Sequence, residues 1–217
     1  MQPPPELVAH LRDPLGVARF YWPEVNFYQQ QRDIIRSVRD NDETFVVAGN
    51  KLGKDYVAGF IALGAFLFPN VFLRPRGSWI KSQEVRIITT SVKDDHLRVL
   101  WGEIGRFIQQ CKYPLLAEQG GPLIVNHRDI RKLVGPKREE CKISYLRGMV
   151  SQKGEGCAGH HAAHTLGIAD EASGVEDITY TQFGTWTQRL LAFGNAMPSN
   201  GFFRKAIKGG DLPAKVG

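Results

Sequence analysis

The sequence predicts an α/β fold with a mainly parallel central sheet flanked by helices, and three observations carry that prediction. A short apolar run at residues 44–47 ends in a Gly/Lys-rich loop, which opens into an apolar helical stretch at residues 56–68. A second apolar run, His164-Thr165-Leu166-Gly167-Ile168-Ala169, ends in two carboxylates, Asp170 and Glu171. Around them strand-like and helix-like segments alternate, the pattern of parallel βαβ units. With 217 residues, 42% of them hydrophobic, the chain suits one large domain, or one domain with a small appendage.

Taken in order, residues 1–40 read as a Pro-rich helical lead: a short helix near 6–12, a Pro/Gly-marked turn, and a helix over 29–39. Residues 41–217 form the core. After the strand, loop and helix of residues 44–68 comes a stretch, 69–83, whose Pro, Gly and basic residues suit an exposed connection. Residues 84–90 alternate into Val85, Ile87 and Ile88 as a strand does. Leu97, Leu100, Trp101, Ile104, Phe107, Ile108 and Cys111 then recur at three- and four-residue spacing, which puts them on one helix face. Further strands are expected at 123–125, 141–147 and 190–193.

The loop Ala48-Gly49-Asn50-Lys51-Leu52-Gly53-Lys54-Asp55 has the composition of a phosphate cradle. Glycines let backbone N–H groups face phosphate oxygens, a lysine reaches the β- and γ-phosphates, and the helix N-terminus adds a favourable dipole. Gly49, Asn50, Lys51, Leu52, Gly53, Lys54 and Asp55 are therefore the candidate nucleotide contacts. The strict phosphate-loop pattern has Gly at position 48 and Ser or Thr at position 55. Asp55 thus replaces the usual magnesium-binding hydroxyl with a carboxylate, which holds the metal directly or through water but repels ATP when metal is absent.

Asp170 and Glu171 complement the loop. A buried parallel strand delivers its C-terminal residues to the rim where open α/β sheets bind ligands. Asp170 is the expected magnesium ligand and Glu171 the expected base for the attacking water. Together the two motifs resemble those of P-loop NTPases, and a fold of ASCE/RecA-like type is expected.

A net charge of +6 and a pI near 9.3 favour a polyanionic partner such as DNA. Three cysteines, Cys111, Cys141 and Cys157, form no disulfide framework at their spacing, and the odd count argues for a reducing compartment. No basic segment with an apolar core opens the chain, so no signal peptide is expected, and no apolar stretch is long enough for a bilayer span.

With these motifs in place, the chain resembles the N-terminal ATPase domain of the large terminase subunit of tailed bacteriophages. Four stretches carry the resemblance. Residues 27–35 are similar to that family's adenine-recognising Q motif, and Gly49-Asn50-Lys51-Leu52-Gly53-Lys54 to its form of Walker A. Gly156-Cys157-Ala158-Gly159-His160, leading to Asp170-Glu171-Ala172-Ser173-Gly174-Val175, is similar to its Walker B signature. Gly194-Asn195-Ala196-Met197-Pro198-Ser199-Asn200-Gly201-Phe202-Phe203 is similar to its coupling motif. The resemblance implies an ATP- and Mg2+-dependent motor in the host cell cytoplasm that drives double-stranded DNA into a procapsid. Its implied partners are the portal protein, the small terminase subunit and further copies of the chain in a ring. It also implies adenine recognition by Gln29 or Gln31, with Gln31 fitting the spacing better. Asn195 would sense the γ-phosphate and Lys51 would add charge near it. The family's nuclease domain is not expected within these residues, and no nuclease activity is expected from them.

Other readings compete at particular residues. Tyr28 stacks on a base or packs in the core. Cys157, His160, His161 and His164 include a pair one helical turn apart, a spacing that can bind zinc. An arginine finger is expected in a ring ATPase, with Arg106, Arg128, Arg131, Arg147 and Arg189 as candidates, and the basic residues within 74–81 and 128–142 are candidates for DNA phosphates. The rivals for the whole chain are a helicase-like DNA-dependent ATPase and a degenerate phosphate-loop module without turnover.

Overall fold

The computed structural model describes residues 12–49, 52–73, 84–150, 157–195, 201–210 and 212. Among these residues seven strands form one sheet. They are β1 (Glu43–Val47), β2 (Val85–Ser91), β3 (Leu123–Asn126), β4 (Asp129–Val134), β5 (Glu139–Val150), β6 (His164–Ala169) and β7 (Arg189–Gly194), in the spatial order β1-β7-β6-β2-β5-β4-β3. The first five strands of that order are parallel, and β4 and β3 add an antiparallel end. β6 and β7 are buried along their whole length, as expected of central strands covered on both faces.

Among the described residues seven helices flank the sheet: α1 (Pro14–Tyr21), α2 (Gln29–Asp40), α3 (Lys54–Leu67), α4 (Pro69–Phe72), α5 (Asp94–Gln110), α6 (Asp177–Gly184) and α7 (Phe202–Lys208). On one face α3 lies between the sheet and the other helices, so its residues from Val57 to Phe66 are all buried. Phe60 of α3 meets the rings of Trp22, Phe27, Phe72 and Phe107. The helices approach closely at Gly59, where an added Cβ would lie 3.0 Å from Glu103 Cβ of α5. On the opposite face a second core gathers Tyr180, Phe183, Trp186, Phe202 and Phe203 under α6 and α7. None of the described helices is long and apolar enough to cross a membrane.

The structure departs from the sequence expectations in several elements. The helix expected near 6–12 falls outside the described residues but for Arg12. The Pro/Gly turn after it is instead the start of α1: Asp13 accepts a hydrogen bond from Gly16 N–H, and Pro14 occupies the first turn, where a missing N–H costs nothing. Part of the expected connection at 69–83 is helical in α4, and residues 74–83 lie outside the described part. β4, α6 and α7 were not anticipated, and β5 extends beyond the expected 141–147.

Candidate nucleotide site

Parallel register brings four chain segments to one rim of the sheet. Val47 at the end of β1 pairs with Gly194 at the end of β7, and Ala48 N–H donates to Gly194 O at 3.0 Å. Ala169 of β6 lies beside Ala192 of β7 on one side and Thr90 of β2 on the other. Asp170 N–H donates to Thr90 O at 2.8 Å. The phosphate-loop strand and the acidic strand are therefore separated by one strand, β7, which is followed directly by Asn195.

Lys54, the first residue of α3, crosses this rim to the acidic pair. Its Nζ lies 3.0 Å from Asp170 Oδ1 and closer still to Glu171 Oε1. Asp170 is 1% exposed, and neither of its oxygens meets a hydrogen-bond donor in good geometry among the described residues. Burial raises the Asp170 pKa, and the neighbouring Lys54 charge only partly opposes this. Burial draws the Lys54 pKa down, but the hydrogen bond to Glu171 and the charge of Asp170 outweigh it and leave the ammonium more basic than usual. Asp55 sits in the same field. Burial, with the charge of Asp170 added, lifts its carboxyl to about 6.

Glu171 holds a left-handed backbone at φ 51° and ψ 41°, capping the single 3-10 turn Ala172–Gly174. A residue with a Cβ pays about 1–2 kcal/mol for that conformation, and such strain concentrates at functional positions. His96, in the first turn of α5, approaches from the β2 end with Nδ1 3.6 Å from Glu171 Oε1. Among the described residues, His96, Asp170 and Glu171 form the one group of such side chains close enough to share an ion. Sequence reasoning missed His96. The available signal was its place just after the polar end of β2, Thr89-Thr90-Ser91, at a helix start.

The loop itself is braced from α2. Gln31 is 3% exposed; its Nε2 donates to Leu52 O at 3.0 Å and its Oε1 accepts from Tyr28 N–H at 3.1 Å. Gly53 has φ +64°, and a Cβ there would lie 2.9 Å from Gln31 Nε2. Gln31 thus reaches the nucleotide loop through its amide nitrogen, whereas Gln29 is exposed and bonds Asp33 at 2.8 Å. Tyr28 is 74% exposed, which removes the core-packing reading. Gly49 and Asn195 lie at the rim, while Asn50 and Lys51 lie outside the described residues.

The zinc quartet does not assemble. The segment carrying Cys157, His160 and His161 is irregular rather than helical, and His164 begins β6. His160 instead shares a 2.6 Å hydrogen bond with Tyr145 and packs edge-on against Trp186. The five candidate finger arginines all face carboxylates: Arg106 near Glu103, Arg128 on Asp94, Arg131 and Arg147 on Asp129, and Arg189 on Asp42. Of the basic stretches, 128–142 forms most of an antiparallel hairpin in which Asp129 and Glu140 take up part of the charge, and 74–81 lies outside the described residues.

No protein-family model and no curated protein matches the sequence. Solved structures do match. The Thermus phage P74-26 large terminase ATPase domain superposes with a TM-score of 0.57 at 16% identity, over 84% of this chain and 69% of that one. A point mutant of that domain gives 0.56, over 84% and 70%. The HK97 bacteriophage large terminase gives 0.52 at 16% identity, and this chain spans 91% of its own length but 38% of that protein's. At this identity the likeness is one of fold: the chain has the P-loop NTPase fold that these terminase ATPase domains have.

Proposed function

We propose that this chain is the ATP-hydrolysing motor domain of a phage DNA-packaging terminase. The observation that carries the reading is the meeting of Lys54, Asp170 and Glu171 at the rim of the sheet, with one strand between their two parent strands. Likeness of fold to terminase ATPase domains supports the choice of motor over helicase-like ATPase. The net charge of +6 suits a DNA partner.

The donor set fits magnesium. Asp170 offers a buried carboxylate whose near donor among the described residues is the Lys54 ammonium, 3.0 Å away, and Asp55 adds an oxygen of the kind a hard cation takes. Mg2+, when bound, supplies neutralisation of the phosphate charge. Asp170 holds it, with Asp55 in the place of the usual hydroxyl. ATP draws Lys54 away from the carboxylates to its β- and γ-phosphate oxygens, assisted by Lys51 and by the N–H groups that open α3. Glu171, released from Lys54, accepts a proton from water as the water oxygen bonds to the γ-phosphorus. The bond from that phosphorus to the β,γ-bridging oxygen breaks, and ADP leaves with the electron pair. Asn195 senses the γ-phosphate from the end of β7. Gln29 reads the adenine edge, Tyr28 stacks on the ring, and Gln31 holds the loop.

In this reading the chain moves double-stranded DNA into a procapsid as part of a ring docked on a portal protein, with a small terminase subunit delivering the DNA. Its place is the host cytoplasm. The test is steady-state ATP hydrolysis with Mg2+ at low salt, with and without linear double-stranded DNA. Turnover that rises with DNA is expected. MgATP binding without turnover, even with portal-bearing procapsids and DNA present, would favour a nucleotide-binding module instead, the reading that Asp55 favours through its charge.

A further inference from the structure

Asp177 is the first residue of α6, six positions after Glu171, with buried Ala172 and buried Val175 between them. Its carboxylate does not serve its own helix. Oδ1 accepts a hydrogen bond from Phe202 N–H at 2.5 Å and Oδ2 pairs with Lys205 Nζ at 3.3 Å, both in α7. The chain approaches this carboxylate so closely at Gly201 that an added Cβ would lie 3.2 Å from Oδ1.

The other side of α7 packs on Phe45 of β1 and on Gly194 at the end of β7. Phe202 and Phe203 are each 1% exposed, and the Phe203 ring fills the space over Gly194, where a Cβ would come within 2.4 Å of it. Gly194 in turn accepts the Ala48 N–H at the start of the phosphate loop. One short helix is therefore anchored both to the segment leaving Glu171 and to the strand end beside the loop.

We propose that Asp177 is a positioning residue that transmits the state of Glu171 to α7 when nucleotide binds. The inference rests on the proposed nucleotide site. Its physical basis is that the Lys54 ammonium pairs with the Glu171 side chain, that Glu171 has a left-handed backbone, and that phosphate oxygens compete for the same ammonium, so nucleotide binding changes the restraint on the segment to which Asp177 belongs. The apolar contacts of Phe202 and Phe203 hold α7 in place, and the two polar links of Asp177 make it follow. Asp177 is 39% exposed at its side chain, so its truncation opens no cavity in the core.

Hydrogen exchange on the whole chain tests this, because amide protection reports local opening segment by segment. The wild type is compared with Asp177→Ala and Asp177→Asn, each without nucleotide and with Mg2+ and a non-hydrolysable ATP analogue. The expected wild-type result is a nucleotide-dependent change at residues 52–58 and another at 202–208. Asp177→Ala should keep the first and lose the second, with 202–208 protected as in wild type before nucleotide is added. Asp177→Asn, whose amide oxygen still accepts from Phe202 N–H, should restore part of the response. A full response at 202–208 in Asp177→Ala would overturn the proposal. So would a wild type that responds only at 52–58, or an Asp177→Ala chain whose α7 has lost protection before nucleotide is added. No wild-type response at 52–58 would instead remove the nucleotide site, and this inference with it.

Discussion

Replacing Asp55 with asparagine should stabilise the protein above pH 6 and loosen its dependence on metal. The folded carboxyl titrates at about 6 against an ordinary value of 3.8, first because it is buried and then because Asp170 lies near. Its protonated form is favoured by folding, so the penalty is absent below the unfolded pKa, grows between about pH 4 and 6, and is complete above that range. At about 1.4 kcal/mol per pH unit the displacement corresponds to a ceiling of about 3 kcal/mol. Asp55 is only partly buried, and solvent screening reduces the expected gain to about 1 kcal/mol. For a chain of this size that is a rise in melting temperature of about 2–4 °C. Urea unfolding of both proteins at pH 5 and 7.5 is the assay. The gap should be larger at pH 7.5, and in EDTA the variant should bind ATP more tightly than wild type. A gap that is equal at the two pH values, or an asparagine variant less stable at pH 7.5, would refute the reasoning. Equal ATP affinity of the wild type with magnesium and in EDTA would refute the charge argument separately.

Gly53→Ala forces a Cβ into a left-handed turn at about 1–2 kcal/mol and against Gln31 Nε2; denaturant unfolding should register at least that loss, and a neutral result would mean that the loop relaxes to another conformation. Gln31→Leu keeps volume but strips partners from Leu52 O and Tyr28 N–H, so about 1–3 kcal/mol of destabilisation is expected. Nucleotide affinity should fall with it in a fluorescent-analogue titration. Unchanged affinity with intact stability would show that the loop does not need the brace.

What the sequence revealed depended on how local the cause was. β6 and β7 were legible because strands buried on both faces carry short apolar runs, here residues 166–169 and 190–193, and α5 because its apolar residues repeat at helical spacing on one face. β4 was hidden because Arg131 and Lys132 suggest a solvated run, whereas in the sheet Lys132 lies over the Phe66 ring at 4.7 Å and Arg131 pairs with Asp129. α1 was hidden because Pro14 and Gly16 signal a turn unless Asp13 is recognised as the cap. The meeting of Lys54 with Asp170 and Glu171 was foreseen from two motifs on two strand ends. The arrival of His96 was not, because it depends on where β2 sits in the sheet order. The inward turn of Gln31 toward Leu52 O likewise depends on the tertiary approach of α2 to the loop, which no residue in the Gln29-Gln30-Gln31 run discloses.

The most direct measurement of the central claim is ATP hydrolysis by Glu171→Gln beside wild type, with Mg2+ and linear double-stranded DNA, paired with equilibrium ATP binding on both. Loss of the base should remove at least about 100-fold of turnover, within the range such groups contribute, while ATP binding persists. A Glu171→Gln chain that hydrolyses ATP at the wild-type rate would contradict the account.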